Sequence, residues 1–147
     1  MSLRIEHVEY NGRGYAMMTP GELRAAGVPD EVWMARYLKS YAAQKRWQIE
    51  VSGTTLNGAF VPTDDRAKTL ITGAAAWLAA AETTTLVIGT TVSIVTGAQI
   101  KAMRDAVCDH VDRSFMALGE VYAAINAGTI TTTVEIDAFA WPGQSAA

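Results

Sequence analysis

The sequence has few of the side chains that bind metals or form disulfides. Its 147 residues include one cysteine, Cys108, and two histidines, His7 and His110. A single cysteine excludes an internal disulfide framework. A zinc site needs three or four ligands at characteristic spacing, whereas Cys108, His110 and Asp112 alternate along the chain and do not share one helical face. The sequence therefore predicts no metal site.

Nucleophile–base pairs and phosphate-binding loops are missing as well. Cys108 lies in the middle of a predicted helix, next to the apolar stripe of that helix, and we predict a buried, unreactive thiol. A nucleophile would need a positioned base, and His110, two residues away, points to a different side of the helix. The run GRG at residues 12–14 lacks the further glycines and the following helix of a dinucleotide or Walker loop. The run DDR at residues 64–66 fits a helix start, which needs only a cap and negative charge. We therefore expect no catalytic residues, no cofactor and no enzymatic activity.

The chain also lacks an excess of charge and a long apolar run. Its formal net charge is −3, which gives no broad attraction to nucleic acid or to an acidic membrane. The longest apolar run, residues 71–81, is rich in alanine and too short to cross a bilayer. Residues 1–12 lack the apolar core of a signal peptide. We expect a soluble protein that binds neither nucleic acid nor membrane.

What the sequence does contain is a long amphipathic helical pattern over residues 96–128. Thr96, with Gln99 three residues later, fits an N-terminal capping box, and Gly128 fits the left-handed residue that ends a helix. Apolar side chains recur every three or four residues, which is the helical period. This predicted apolar stripe consists of Ile100, Met103, Val107, Val111, Phe115, Leu118, Tyr122 and Ile125. A stripe of this length has to be covered by the same chain or by another one.

Turn and capping residues divide the rest of the chain into short elements. An Asn-Gly pair at residues 11–12 predicts a hairpin, and Thr19 followed by Pro20 predicts a short helix. Further patterns predict a helix over residues 30–49 and a short extended segment over 54–62, with a tight turn at Asn57-Gly58 and a strand. They also predict a helix from 63 to about 81, a hairpin over 84–95 and a β-prone segment over 129–139. The predicted fold class is α+β: short antiparallel hairpins packed with two long and one or two shorter helices.

The order of elements from residue 47 onward carries a family resemblance. A short β segment precedes FVPTDDR (residues 60–66), which opens an Ala-rich helix. A hairpin follows, then the Thr-capped long helix with its His110-Val111 pair, and the region closes on Trp141-Pro142. Residues 47–142 thereby resemble an uncharacterised domain family of phage tail fibre and other tail-associated proteins, also found in prophages. The resemblance implies a structural protein without catalytic residues.

The resemblance also implies partners and a location, and its bounds suggest a division of the chain. The partners would be other tail proteins of the fibre or baseplate, met in the virion tail and, during assembly, in the bacterial cytoplasm. Residues 1–46 would be an attachment region, 47–142 the tail-associated domain and 143–147 a flexible tail. A tail fibre assembly chaperone that leaves the virion is one alternative, and a small enzyme or ligand-binding domain is another. Self-association of the chain is left open.

Three aromatic residues with a spacing of four mark a candidate partner-binding face on the second helix. They are Trp33, Tyr37 and Tyr41, with lysine and arginine residues interleaved. Aromatic side chains beside cations can stack on bases, and large aromatic side chains can anchor a protein interface or simply fill a core. The acidic chain and two flanking glutamates weigh against nucleic acid. We expect the Leu38 side to face inward and part of the aromatic face, or of the N-terminal hairpin, to meet a tail partner.

Overall fold

The computed structural model describes residues 2–144 and confirms the α+β prediction. In chain order the elements are β1 (Ile5–Tyr10), β2 (Arg13–Met18), α1 (Pro20–Ala25), α2 (Asp30–Glu50), β3 (Thr54–Leu56), β4 (Ala59–Val61), α3 (Asp65–Trp77), β5 (Thr83–Ile88), β6 (Thr91–Thr96), α4 (Gly97–Ala127) and α5 (Thr133–Asp137). Consecutive strands pair antiparallel as three separate hairpins. Of the predicted flexible tail, residues 145–147 lie outside the described part of the chain.

Left-handed turn residues close the first two hairpins, as their Asn-Gly pairs predict. The φ angles are 50° at Asn11 and 73° at Gly12, and 51° at Asn57 and 79° at Gly58. Positive φ at both central residues is the signature of a type I′ turn, whose twist matches that of the paired strands. The third predicted turn also forms, and Gly89 has a φ of 60° there.

Side-chain caps begin the first short helix and the long helix, as predicted. At α1, Glu22 N donates to Thr19 Oγ1 at 3.2 Å, and Thr19 N donates to the Glu22 carboxylate at 2.8 Å. At α4, Gln99 N donates to Thr96 Oγ1 at 3.1 Å, and Thr96 N donates to Gln99 Oε1 at 2.8 Å. Gly128 follows α4 with a φ of 75°, the left-handed conformation that ends a helix cheaply. Both predicted ends of α4 are therefore confirmed.

The segment predicted as β-prone, residues 129–139, instead contains the helix α5, so that prediction was wrong. Glu135 N donates to Thr132 Oγ1 at 3.2 Å, and the Glu135 carboxylate accepts from the backbone N–H groups of Thr131 at 2.7 Å and Thr132 at 3.0 Å. These hydrogen bonds lower the pKa of Glu135. The capping box and the burial of Ile136 outweigh the strand preference of the threonines.

The helix α3 ends at Trp77, earlier than the predicted end near residue 81. The alanine-rich sequence favours a longer helix by intrinsic propensity. Leu78, however, adopts an extended conformation with ψ 125° and is buried to 3% exposure. Burying this leucine turns the chain away from the helix axis, so packing overrides propensity here.

The loop after α3 supplies hydrogen-bond acceptors to the start of α4. Gly97 N donates to the carbonyl of Glu82 at 2.8 Å, and Ala98 N donates to the carbonyl of Ala80 at 3.1 Å. The first N–H groups of a helix have no partner within the helix, so these carbonyls satisfy them. The two backbones come so close that a Cβ atom on Gly97 would overlap the carbonyl oxygen of Ala79. Only glycine fits this position without a backbone shift.

The described residues form two compact units. The first contains residues 2–46 and 117–140, and the second contains residues 47–116 and 141–144. The core of the first unit is built from Ile5, Val8, Leu23, Val28 and Trp33. The core of the second unit is built from Val61, Ile71, Ala75, Leu78, Leu86, Val95, Ile100 and Val107. Each unit therefore combines two separated parts of the chain, and α5 shares a unit with the N-terminal residues.

The buried face of α4 differs from the predicted stripe in the middle of the helix. Phe115 lies in the predicted stripe but is 54% exposed. The positions buried there, each one residue before a predicted position, are His110, Ser114, Ala117 and Val121. One residue corresponds to about 100° around a helix of about 3.6 residues per turn. The small side chains at 114 and 117 leave room for close packing, which apolar periodicity does not reveal.

Gly97 provides a test of the close contact between α4 and the loop that joins α3 to β5. We expect Gly97→Ala to lower the free energy of unfolding by about 1–3 kcal/mol, because the new Cβ displaces the Ala79 carbonyl. Gly119→Ala in the same helix is the matched control, since nothing lies within 4 Å of its added Cβ. That change should raise stability by about 1 kcal/mol through helix propensity. Urea unfolding of both variants measures the difference, and equal effects would contradict the contact.

Candidate protein-binding surface

The predicted partner-binding aromatic residues of α2 lie at different depths in the first unit. Trp33 is 1% exposed and belongs to the core. The Tyr37 ring meets it edge-on, with the ring centroids 6.0 Å apart and the planes at 84°. The Arg24 guanidinium lies 5.0 Å from the centroid of the Trp33 ring and binds the Asp30 carboxylate through hydrogen bonds of 2.9 and 3.0 Å. Trp33 is therefore covered by its own unit.

The hydroxyl group of Tyr41, the third of these aromatic residues, forms a hydrogen bond within the first unit. Its hydroxyl donates to Asp137 Oδ2 at 2.9 Å, and Lys45 Nζ lies 3.6 Å from Asp137 Oδ1. Donating this hydrogen bond raises the pKa of the Tyr41 phenol. The contacts tie α5 to α2, so Tyr41 has a structural role whatever else it binds.

The aromatic face thus offers a partner only part of the surface that its sequence pattern suggests. Trp33 contributes no accessible surface, whereas Tyr37 and Tyr41 are half-buried and keep exposed edges. Leu38 is 2% exposed, as expected for the inward side of the helix. A partner-binding role for the three aromatic residues remains a prediction, and within it only the two tyrosines present accessible atoms.

The β5–β6 hairpin of the second unit exposes apolar side chains on its outer face. Val87 lies opposite Val92 in the strand register, and Ile94 follows two residues later on the same face. These side chains are 48%, 65% and 76% exposed, respectively. The opposite face of the hairpin carries Leu86 and Val95, which are buried in the core. The hairpin therefore carries apolar side chains on both faces, and those buried by its own unit lie on the inner face.

Residues 83–96 have none of the sequence features that protect an exposed hairpin. The run TTTLVIGTTVSIVT contains no charged residue and no proline, and most of its residues are β-branched. Each strand is six residues long, and within residues 2–144 each keeps one edge that pairs with no other strand. Native proteins usually place charges, prolines or bulges on such edges to prevent pairing with other chains. This hairpin is open to contact on its outer face, and its edges pair with no other described strand.

A cavity of about 320 Å³ lies between the β3–β4 hairpin and the β5–β6 hairpin of the second unit. Val61, Leu86 and Val95 are its buried lining residues, and Phe60, which is 68% exposed, also lines it. Thr91 and Ser93 add hydroxyl groups, and Met103 of α4 adds a half-buried thioether side chain. No charged residue is found among the described residues that line this cavity.

Polar side chains fix the chain around the β3–β4 hairpin, and one of them caps α3 at the predicted helix start, residues 64–66. Thr63 is fully buried; its hydroxyl donates to the carbonyl of Glu50 at 2.5 Å and accepts from Gly53 N at 2.8 Å. The Asp64 carboxylate accepts from Ala67 N at 3.1 Å and caps α3. These hydrogen bonds fix the position of the chain before and after the hairpin. The DDR run at residues 64–66 therefore starts a helix, which is the structural role that its sequence predicts.

Cysteine and the two histidines lie in unrelated environments. Cys108 is exposed, so the prediction of a buried thiol was wrong: it follows Val107 by one residue and turns away from the buried face. His110 is buried, and its Nε2 lies 2.8 Å from the carbonyl oxygen of Ile49. His7 is half-exposed and lies 3.5 Å from Glu9. Over residues 2–144, no three His, Cys, Asp or Glu side chains gather as metal ligands would.

The sequence predicts the β5–β6 hairpin but does not identify its apolar surface as a site. Sequence patterns favour aromatic residues as interface candidates because such residues dominate known binding interfaces. The sequence feature that indicates this surface is an absence of charge. Residues 83–96 are fourteen successive uncharged residues in a chain that is 18% charged. Such a gap points to a segment that contacts protein on more than one side.

Comparison with known protein families yields a match. A family model described as a domain of unknown function (DUF4376) matches residues 34–140, which include the β5–β6 hairpin and the cavity. No curated protein and no solved structure matches the chain. Among the helices described here, none combines the length and apolar character needed to cross a membrane.

Two tryptophans provide a matched test of the depth of the aromatic face. We expect Trp33→Ala to lower the free energy of unfolding by about 3–5 kcal/mol, because it empties the core of the first unit. Trp77→Ala is the control, since Trp77 is 67% exposed and should change stability by only about 0.5 kcal/mol. Thermal and urea unfolding measure both, and a neutral Trp33→Ala variant would contradict its core position.

Proposed function

Since the chain belongs to the family described as domain of unknown function DUF4376, we propose a function from its surface and its resemblance to phage tail domains. The protein is a structural, tail-associated component of a phage or prophage. It binds other tail proteins, of the fibre or the baseplate, and acts by burying apolar surface and not by catalysis. Its place is the virion tail and, during assembly, the bacterial cytoplasm.

The outer face of the β5–β6 hairpin is the observation that carries this proposal. Val87, Val92 and Ile94 are exposed to water on a hairpin without charges. Removing apolar surface from water contributes roughly 25 cal/mol per Å², so a partner that covers this face stabilises the assembly. Exposed apolar patches of this kind are characteristic of protein-binding surfaces. A permanent partner in a virion would keep the patch covered.

The first unit supports the proposal with a second, smaller contact region. Tyr37 and Tyr41 keep exposed edges on α2, where amphipathic aromatic rings suit a protein interface. Trp33 supports this region from the core without contacting a partner. We assign the attachment role of residues 1–46 to these tyrosines, as part of the same proposal.

The proposal is tested by placing a charge on the hairpin in the phage or prophage that encodes the chain. Val92→Asp should abolish incorporation into purified particles, because the carboxylate would be buried against an apolar partner. Val134→Asp is the matched control: the same substitution at a 73% exposed valine of α5, compared with 65% for Val92. Quantitative mass spectrometry of the particles measures incorporation, and circular dichroism of each isolated variant checks folding.

The outcomes separate the proposal from its alternatives. If Val92→Asp does not fold, Ile94→Asp at a 76% exposed position of the same face replaces it. Normal incorporation of a folded hairpin variant would refute the role of the hairpin. A wild-type chain that is required for assembly yet missing from purified particles would identify an assembly chaperone in place of a virion component.

A further inference from the structure

We infer that the cavity between the β3–β4 and β5–β6 hairpins receives a tryptophan or tyrosine side chain of the partner protein. The inference rests on the proposed function, because it names the chemistry by which the partner is recognised. It concerns the inner side of the hairpin, whereas the proposed function depends on Val87, Val92 and Ile94 of the outer face. Charge, volume and polar groups of the lining each limit what can occupy the cavity.

Charge excludes an ionised occupant. None of the described residues that line the cavity is charged, and residues 83–96 contain no charge at all. An ionised side chain placed there would lose its hydration without gaining a counter-ion, which is costly. A neutral side chain does not incur this penalty. The uncharged lining of the cavity therefore favours an uncharged side chain of the partner.

Volume indicates a large side chain. The cavity measures about 320 Å³. A protein cavity of roughly 150 Å³ is enough to hold benzene, so this one exceeds the need of a single phenyl ring. Large aromatic side chains are the usual anchors of protein interfaces because they bury much area with few rotatable bonds. Indole and phenol rings fit this requirement better than small aliphatic groups.

The polar groups of the lining select an aromatic side chain with a donor. Thr91 lies opposite Ile88, and Ser93 lies opposite Leu86, on the face of the hairpin that lines the cavity. Their hydroxyl oxygens are acceptors for an indole N–H or a phenol O–H. A buried tryptophan or tyrosine usually needs such an acceptor, whereas phenylalanine and leucine do not. Two hydroxyls in an otherwise apolar lining therefore favour the first two residue types.

Two further side chains suit an aromatic occupant. Phe60 lines the cavity while 68% exposed, so its ring is available to pack against an entering ring. Met103 is half-buried, and its flexible thioether adapts to the shape of a neighbouring aromatic group. The cavity and the outer apolar face belong to opposite faces of the same two strands, β5 and β6. One partner that contacts this hairpin can therefore reach both.

The first test uses indole, the side-chain group of tryptophan, and the isolated full chain. We expect saturable methyl NMR shifts at Leu56, Ile88 and Met103 during an indole titration, and none at Ile5 or Val28 of the first-unit core. Non-specific association with exposed apolar surface would instead shift Val87 and Val92 without saturation, and this result would overturn the inference. Toluene, which has no hydrogen-bond donor, should bind more weakly than indole. Equal binding of the two would contradict the role of the Thr91 and Ser93 hydroxyl groups as acceptors.

A plug variant links the cavity to the partner. Ser93→Phe fills the cavity with the chain's own ring and should abolish the indole-dependent shifts and incorporation into particles. Thr72→Phe is the control, because it adds the same ring at an exposed position of α3 outside the cavity and should preserve both. If Ser93→Phe does not fold, the smaller Ser93→Leu takes its place. A plugged variant that folds, loses indole binding and still enters particles would overturn the inference.

The two proposals fail in different ways. If Val92→Asp and the plugged variant are both incorporated normally, the proposed function fails, and the assignment of the cavity to a tail partner fails with it. If only the plugged variant is incorporated normally, the proposed function stands and the cavity assignment is refuted. If the wild-type chain self-associates in sedimentation and the plugged variant does not, the occupant is a second copy of this chain, which refutes the assignment to a different partner.

Discussion

The second unit depends on the backbone contact between the loop after α3 and the first turn of α4. Two hydrogen bonds, from Gly97 N to the Glu82 carbonyl and from Ala98 N to the Ala80 carbonyl, hold the two segments together. The β5–β6 hairpin leaves and re-enters the core between these segments, at Thr83 and Thr96. Because both of its ends are held there, Leu86 and Val95 can pack on the core while the opposite face stays in water.

A two-stranded hairpin has two faces, and its own unit can cover only one of them. In most hairpins the second face is polar, but here Val87, Val92 and Ile94 make it apolar. Residues 83–96 also contain no charged side chain that would favour exposure to water. The composition of the hairpin therefore suits burial on both faces, and the proposed partner binding rests on this property.

Local chemistry made much of the fold predictable, and long-range packing accounts for the errors. The Asn-Gly turn of the first hairpin and the Thr96 cap act over three or four residues, so the sequence shows them directly. The face of α4 that is buried was predicted less well, because the exposed Phe115 has the apolar character of a core residue. Of the candidate site, the hairpin was predictable, whereas its exposed outer face and the cavity beneath it were not.

The sequence by itself determined where the hairpins turn and where α1 and α4 begin, because capping boxes and left-handed turn residues act locally. Only the tertiary structure decided that Trp33 lies in a core, that Cys108 is exposed and that residues 129–139 contain a helix. It also decided which face of the β5–β6 hairpin meets water. Burial is a property of residues far apart in the chain, and periodicity along one segment reports its amphipathic character but not the neighbour that covers it.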